Sequence, residues 1–248
     1  MLNAKRLYQE LGIKLKELLS SGRYPVGSRL PPERDIAEQF GVSRAVVREA
    51  LIMLELENLI DVRKGSGVYV INTVSDEKSA LKTTDDDIGP FELLQARQLL
   101  ESNIAAFAAT QLIKSDIADM MNALELERQA LESGRTDYDD DELFHMLIAR
   151  ATQNSVLESM VHDLWVRRQN SPMWQKLHTH IVDQSYRRKW LEDHRKILLA
   201  LQHRDPEGAK HAMWQHLENV KLTLLELSNS DDLGFDGYLF DSVPVTKL

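Results

Sequence analysis

Residues 29–71, RLPPERDIAEQFGVSRAVVREALIMLELENLIDVRKGSGVYVI, read as two short helices joined by a tight turn and followed by a glycine-tipped β-ribbon. Ala37 is small where two helices must approach closely, and Gly41 supplies the positive φ that such a turn needs. Ser43 is a good N-cap for the second helix. Val47, Ala50, Leu51 and Leu54 form its inward stripe, which predicts that Arg44 and Arg48 share the opposite, exposed face at i, i+4. Arg34 falls in the first turn of the preceding helix. Ile60-Asp61-Val62 and Val68-Tyr69-Val70 make the ribbon, with Lys64-Gly65-Ser66-Gly67 at its tip. A unit of this shape fits the major groove of double-stranded DNA, with the tip set against the adjacent backbone or minor groove. The expected DNA-binding set is therefore Arg34, Ser43, Arg44, Arg48, Lys64 and Gly65.

Outward from this unit the charge divides sharply. Residues 1–72 hold 11 Lys+Arg and 9 Asp+Glu, net +2, whereas the remainder holds 19 and 30, net −11. The acidic part would be repelled by phosphate, which leaves the basic unit as the nucleic-acid face. The 248 residues include no cysteine, so there is no disulfide framework and no thiolate site. The N-terminal stretch MLNAKRLYQELGIKL breaks every apolar run with a charge, unlike a signal peptide, and no run approaches the roughly 20 apolar residues of a membrane helix. These features predict a cytoplasmic protein without membrane association.

The segments are expected to be a winged helix-turn-helix (α+β) over residues 1–72, a polar acidic linker over 73–89, an all-α antiparallel bundle of six or seven helices over 90–228, and a tail over 229–248 whose aromatic residues leave packing on the bundle open. Pro90 opens the first bundle helix, Asp116 caps the next, and a break at Gly134 precedes DDDELFHMLIARAT. Asn154 begins another helical segment, Pro172 interrupts, and a long helix runs to about His203. Asp205-Pro206-Glu207 then provides an N-cap, a proline at the first helical position and an acid in the first turn.

All eight histidines follow residue 144. Asp141 and His145 lie four apart on one helix face. His194 shares an inward stripe with Ile197, Leu198 and Leu201, and His216 shares one with Ala209, Met213 and Val220. One Asp and three His converging inside a bundle would bind Zn²⁺, Ni²⁺ or Mn²⁺ with positions open to a ligand. Catalysis finds no support. Glu142-x-x-His145 is half of a di-iron motif without its second half, and no His-Glu-x-x-His, phosphate loop or nucleophile elbow occurs. The expectation is that the protein is not an enzyme.

The first unit closely resembles the winged domain of the GntR family of transcription regulators. The shared signature is Leu30-Pro31-Pro32-Glu33-Arg34, Gly41-Val42-Ser43-Arg44, Val47-Arg48-Glu49-Ala50-Leu51 and the Lys64–Gly67 wing. The resemblance implies a homodimer on a pseudo-palindromic operator, contacted by Arg34, Arg44 and Arg48. The second part is similar to the helical (FCD) domain of the fatty-acid-regulator branch. Metal-binding members of that branch show the spacing found here: Asp141-x3-His145, 49 residues to His194 and 22 to His216. Within the branch, Pro90–Ala109, Ala151–Ser155, Pro172-Met173-Trp174, Ala212–Lys221 and Gly237–Ser242 look most like the hexuronate-utilisation (Uxu/Exu-type) repressors. That likeness implies repression of sugar-acid catabolism genes, relieved by a sugar acid; a different small carboxylate, such as lactate or an amino acid, is the alternative effector. The expected effector contacts are Arg97, Asn154, Trp174 and Gln215. Their ordinary alternatives are an ion pair with Glu101, a helix cap, a core anchor and a surface amide.

Overall fold

The computed structural model describes residues 6–73, 88–135, 137–181 and 186–228. Most of the expected 73–89 linker and all of the 229–248 tail lie outside these residues. Two compact units are present. One consists of the described residues of Met1–Phe91, Ser171–Val182 and Leu224–Val243, and the other of Glu92–Asn170 and Asp183–Thr223.

The first unit opens with α1 (Leu7–Ser20), whose Tyr8, Leu11, Leu15 and Leu19 recur at helical spacing and are buried. Helices α2 (Glu33–Phe40) and α3 (Arg44–Leu56) follow. Gly41 sits between them at φ 65°, and its N–H and that of Val42 close the end of α2 on Glu38 and Ala37 carbonyls. An L side chain is disfavoured in this left-handed conformation. Ser43 caps α3 by accepting from the Val46 N–H at 3.3 Å. Strands β1 (Ile60–Arg63) and β2 (Gly67–Val70) pair antiparallel, with Arg63 opposite Gly67, so that Lys64, Gly65 and Ser66 form the exposed tip.

The length of α3 is buried from Ala45 to Leu56, polar residues included. Each charged group within it has a partner in the same unit. The Glu49 carboxylate accepts the Phe91 N–H at 2.8 Å. Glu55 receives Lys176 Nζ at 3.1 Å and His180 Nε2 at 2.8 Å, both from α8 (Pro172–Thr179) or the residue after it. Proline at the first position of α8 loses no hydrogen bond, and Ser171 caps the helix through the Trp174 N–H.

The second unit is helical throughout its described residues: α4 (Pro90–Gln111), α5 (Lys114–Glu132), α6 (Asp139–Arg150), α7 (Ser155–Asn170), α9 (Tyr186–Gln202) and α10 (Pro206–Leu227). With α8, seven helices follow the wing, so the expected winged domain and helical bundle are both present. Asp116 lies at the third position of α5 rather than at its cap, and its carboxylate reaches back to the Ile113 N–H at 2.8 Å. Gly134 ends α5 at φ 76°, and Asp205 caps α10 through the Gly208 N–H at 3.0 Å. Helix α5 packs on α6 and α9, and α6 on α7. Helix α10 contributes to both units, its last turn from Leu224 belonging to the first.

Candidate metal centre and DNA interface

At the winged unit, the basic residues of the expected DNA face lie near the starts of α2 and α3 and at the wing tip. Arg34 is 68% exposed along its side chain. Arg44, the first residue of α3, is half-buried, and Lys64 and Gly65 are exposed. Ser43 is occupied as the α3 cap. In winged and related helix-turn-helix proteins the N-terminal residues of the recognition helix contact base edges, which suits Arg44.

Arg48 departs from its expected place on an exposed face. It is 3% exposed, and its guanidinium binds both oxygens of buried Glu33, with Nη2 to Oε2 at 2.6 Å. Its Nη1 donates to the Ser228 hydroxyl and, at 3.4 Å, to the Leu225 carbonyl. The expectation that Arg48 shares an exposed face with Arg44 is therefore corrected. That face is covered by the end of α10, 177–180 residues further along the chain.

In the helical unit, Asp141 and His145 of α6, His194 of α9 and His216 of α10 converge, with one donor atom from each lying within 4.8 Å of the others. His145 donates from Nδ1 to Glu101 Oε2, which leaves Nε2 as a lone-pair donor. That Nε2 is buried and without a hydrogen-bond partner. His194 likewise donates from Nδ1 to Glu127 Oε2 at 2.8 Å. Its Nε2 stands 3.2 Å from His216 Nε2 and 3.4 Å from Asp141 Oδ1, which is 3.6 Å from His145 Nε2. Donors about 2.0–2.1 Å from one tetrahedral ion stand roughly 3.3 Å apart, close to these separations. Carboxylates behind two of the rings fix the tautomer that aims Nε2 inward, as behind metal-bound histidines generally. The residues present therefore fit a divalent cation.

The electrostatics follow from the same contacts. Burial favours the neutral acid of Glu101, but Arg97 and His145 hold its carboxyl down to about 2. Burial disfavours a charged His194 ring, yet Glu127, Asp141 and Asp193 outweigh it and raise the pKa. Burial, with His194 and His145 nearby, keeps His216 neutral by driving its pKa well below the usual range.

The expected effector residues are not brought together. Arg97 is buried and makes the ion pair with Glu101 at 2.6 Å, its guanidinium 4.2 Å over the Trp165 ring. Asn154 is exposed and caps α7 through the Val156 and Leu157 N–H groups. Gln215 is exposed and donates to Asn219. Trp174 is a buried anchor of the first unit, against His178. Glu101 is named above only as the partner of Arg97, and Glu127 and Arg168 are not named. The signal was available for two of them: Glu127 falls on the stripe Met120, Ala123, Leu124, Ala130, and Arg168 on the stripe Val161, Trp165. A charge on an apolar stripe needs a buried partner.

A winged helix-turn-helix with a basic tip, on the same chain as a helical domain, defines a winged-helix DNA-binding transcription regulator. The chain belongs to the GntR family: "Bacterial regulatory proteins, gntR family" matches residues 7–70 and "FCD domain" matches residues 92–219. It is 51% identical to the Uxu operon transcriptional regulator of Escherichia coli K12, over 99% of this chain and 97% of that protein. It is 49% identical to the Exu regulon transcriptional regulator of the same organism, over 98% and 95%. Among solved structures, E. coli McbR/YncC aligns with a TM-score of 0.50 and 26% identity, over 90% of this chain and 99% of that one.

Proposed function

We propose that this protein is a cytoplasmic, homodimeric repressor of hexuronate catabolism genes, released from its operator by a sugar acid bound at a metal in the helical domain. The observation that carries the effector half is the convergence of Asp141, His145, His194 and His216 on one buried point. The hexuronate assignment rests on the likeness to the Uxu and Exu regulators. Three imidazoles and a carboxylate suit Zn²⁺, and at higher coordination Ni²⁺ or Mn²⁺. The bound ion would supply a Lewis-acid anchor for the carboxylate and α-hydroxyl of a sugar acid. Glu101 and Glu127 hold the rings that keep it.

On the DNA side, Arg34, Arg44, Lys64 and Gly65 make the contact, two winged units reading a pseudo-palindrome. Arg48 supports the recognition helix from behind. Effector binding shifts the population of dimer geometries so that both half-sites are no longer matched, a coupling typically of about 1–3 kcal/mol. Helix α10, which carries His216 and ends at the carbonyl and hydroxyl that take Arg48, is a physical route for that coupling.

The test selects operator DNA from a random pool, then measures its affinity while D-glucuronate, D-galacturonate and their catabolic sugar acids are titrated, with and without chelator. Weakened operator binding by at least one sugar acid, abolished by chelator, is the expected result. Constant affinity at saturating concentrations of all of them would refute the reading.

A further inference from the structure

Within the helical unit, α4 and α7 run antiparallel side by side. The Arg97 guanidinium lies 4.2 Å from the Trp165 ring near one end of the pair, and Gln153, just before α7, donates to the Gln111 carbonyl at 3.2 Å near the other. These two contacts set Phe107 about level with Val156 and Leu99 about level with Leu164. Around α4, Leu100, Phe107 and Gln111 fall within about 40° of one another, on the flank that meets α7. Around α7, Leu157 and Leu164 fall within about 20° of one another, and Met160 is about 40° beyond them. The outer edges of the two helices therefore join in one surface. Along it Leu99 is 49% exposed, Phe107 42%, Val156 65% and Met160 44%, with Leu100, Leu157 and Leu164 half-buried between them.

From Ala96 to Gln111 the exposed side chains of α4 are all uncharged: Ala96, Leu99, Asn103, Phe107, Thr110 and Gln111. The two charged residues of that stretch, Arg97 and Glu101, are buried. A solvated helix face normally carries charge, and this one runs for about 22 Å without any. With the edge of α7 the surface covers roughly 400 Å², the scale of a patch that marks a contact site and of the apolar core of an interface burying about 800 Å² a side. Charge selects the occupant. Residues 73–248 hold 19 Lys+Arg against 30 Asp+Glu, net −11, so two copies repel each other over most of this half. In a two-fold contact the same patch meets itself, and any charge near the axis faces its like. An uncharged apolar face is the one by which such a domain can meet its own copy, whereas a basic partner would be drawn to the acidic surface elsewhere.

We propose that the joined face of α4 and α7 is the surface by which two copies of this chain dimerise, with Asn103 at the two-fold axis. This deepens the homodimer reading given above and rests on it. Asn103 lies one turn from Leu99 and one from Phe107, so it is central to the stripe. Its Nδ2 donates to the Leu99 carbonyl at 2.6 Å, which leaves the amide a second N–H and an oxygen to offer. A donor and an acceptor on one side chain are self-complementary, so two copies of Asn103 can pair across the axis. Leu99, Phe107 and Met160 around it supply the apolar burial, and one polar pair among them fixes the register.

The test is sedimentation of the full-length protein from nanomolar to micromolar concentration, without DNA. Wild type should be a dimer at micromolar concentration. Phe107→Glu and Met160→Glu each place two carboxylates in the contact, and Asn103→Asp places two across the axis. Each should raise the dimer dissociation constant by about 100-fold or more. Leu199→Glu puts the same charge on a residue of α9 that is 53% exposed and outside the patch, and it should dimerise like wild type. Circular dichroism reports whether each variant is folded; if Phe107→Glu is not, Met160→Glu carries the comparison. A monomeric wild type overturns the homodimer reading and this inference with it. A dimeric wild type with Phe107→Glu and Met160→Glu equally dimeric overturns the surface alone. Dissociation of Leu199→Glu to the same degree would also refute the surface, and an Asn103→Asp protein that dimerises like wild type would refute the axial place of Asn103.

Discussion

Replacing Glu101 with glutamine removes one negative charge and almost no volume, and it should destabilise the helical unit strongly. Glu101 joins Arg97 to His145: one oxygen takes Arg97 Nε at 2.6 Å and the other takes the His145 Nδ1–H. A glutamine carbonyl can accept from one of these donors, but its NH₂ group then faces the other. Lowering a carboxyl from 4.5 to about 2 corresponds to about 3 kcal/mol of preference for the ionised form. Breaking a buried ion pair typically costs about 3–5 kcal/mol, which agrees. For a unit of this size the expected drop in melting temperature is roughly 10 °C. The assay is a thermal melt followed by circular dichroism in chelator, wild type against Glu101→Gln. Because the folded-state pKa is depressed, the contribution is complete above the unfolded value of 4.5 and is lost as pH falls towards about 2. The gap between the two proteins should be flat from pH 7 to about 5 and shrink below it. A variant melting within about 2 °C of wild type, or a gap that widens in acid, would refute the reasoning.

Four further outcomes follow from the described contacts and backbone conformations. Glu127→Gln leaves all four candidate ligands in place but loosens His194, so zinc affinity measured against a competing chelator should fall about 10- to 100-fold, and unchanged affinity would show that Glu127 does not position the ring. Arg44→Ala should weaken specific operator binding by about 1–3 kcal/mol in a mobility-shift assay with little change in melting temperature. Arg48→Ala should instead lower stability by about 3–5 kcal/mol in urea unfolding, since it strands Glu33; normal stability with lost DNA binding would return Arg48 to the groove. Gly41→Ala should cost about 1 kcal/mol in the same experiment, from the left-handed backbone at the turn.

The parts of the fold that rest on local rules were legible in the sequence. Gly41, Ser43, Pro172 and Asp205 each answer to backbone conformation or capping within a few residues, and the structure uses all four in those ways. Asp141 and His145 were legible as one face of one helix, and His194 and His216 as histidines on inward stripes. What sequence could not supply is which surface covers a helix. Arg48 was expected on an exposed face of α3, but that flank is covered by Ser228, 180 residues away in the chain. The same limit hid the role of Glu101. Its spacing from Arg97 foretold the ion pair, while its second contact, to His145, is made 44 residues away. Arg97 is a sequence candidate for an effector carboxylate because a guanidinium takes a carboxylate in two hydrogen bonds, and in the structure Glu101 of the protein itself takes that place.

Helix α10 is continuous from Pro206 to Leu227, and it bears His216 at one level and the Leu225 carbonyl at another. Two tasks on one uninterrupted helix impose a phase. Each residue added or removed between them rotates everything beyond by about 100° and shifts it by about 1.5 Å. A single insertion after Leu217 would leave the cluster's own residues in place and rotate the Leu225 carbonyl by about 100° relative to His216, whereas seven inserted residues would restore the angle to within about 20°. Changes in steps of seven would therefore alter the length of this stretch while nearly keeping its phase.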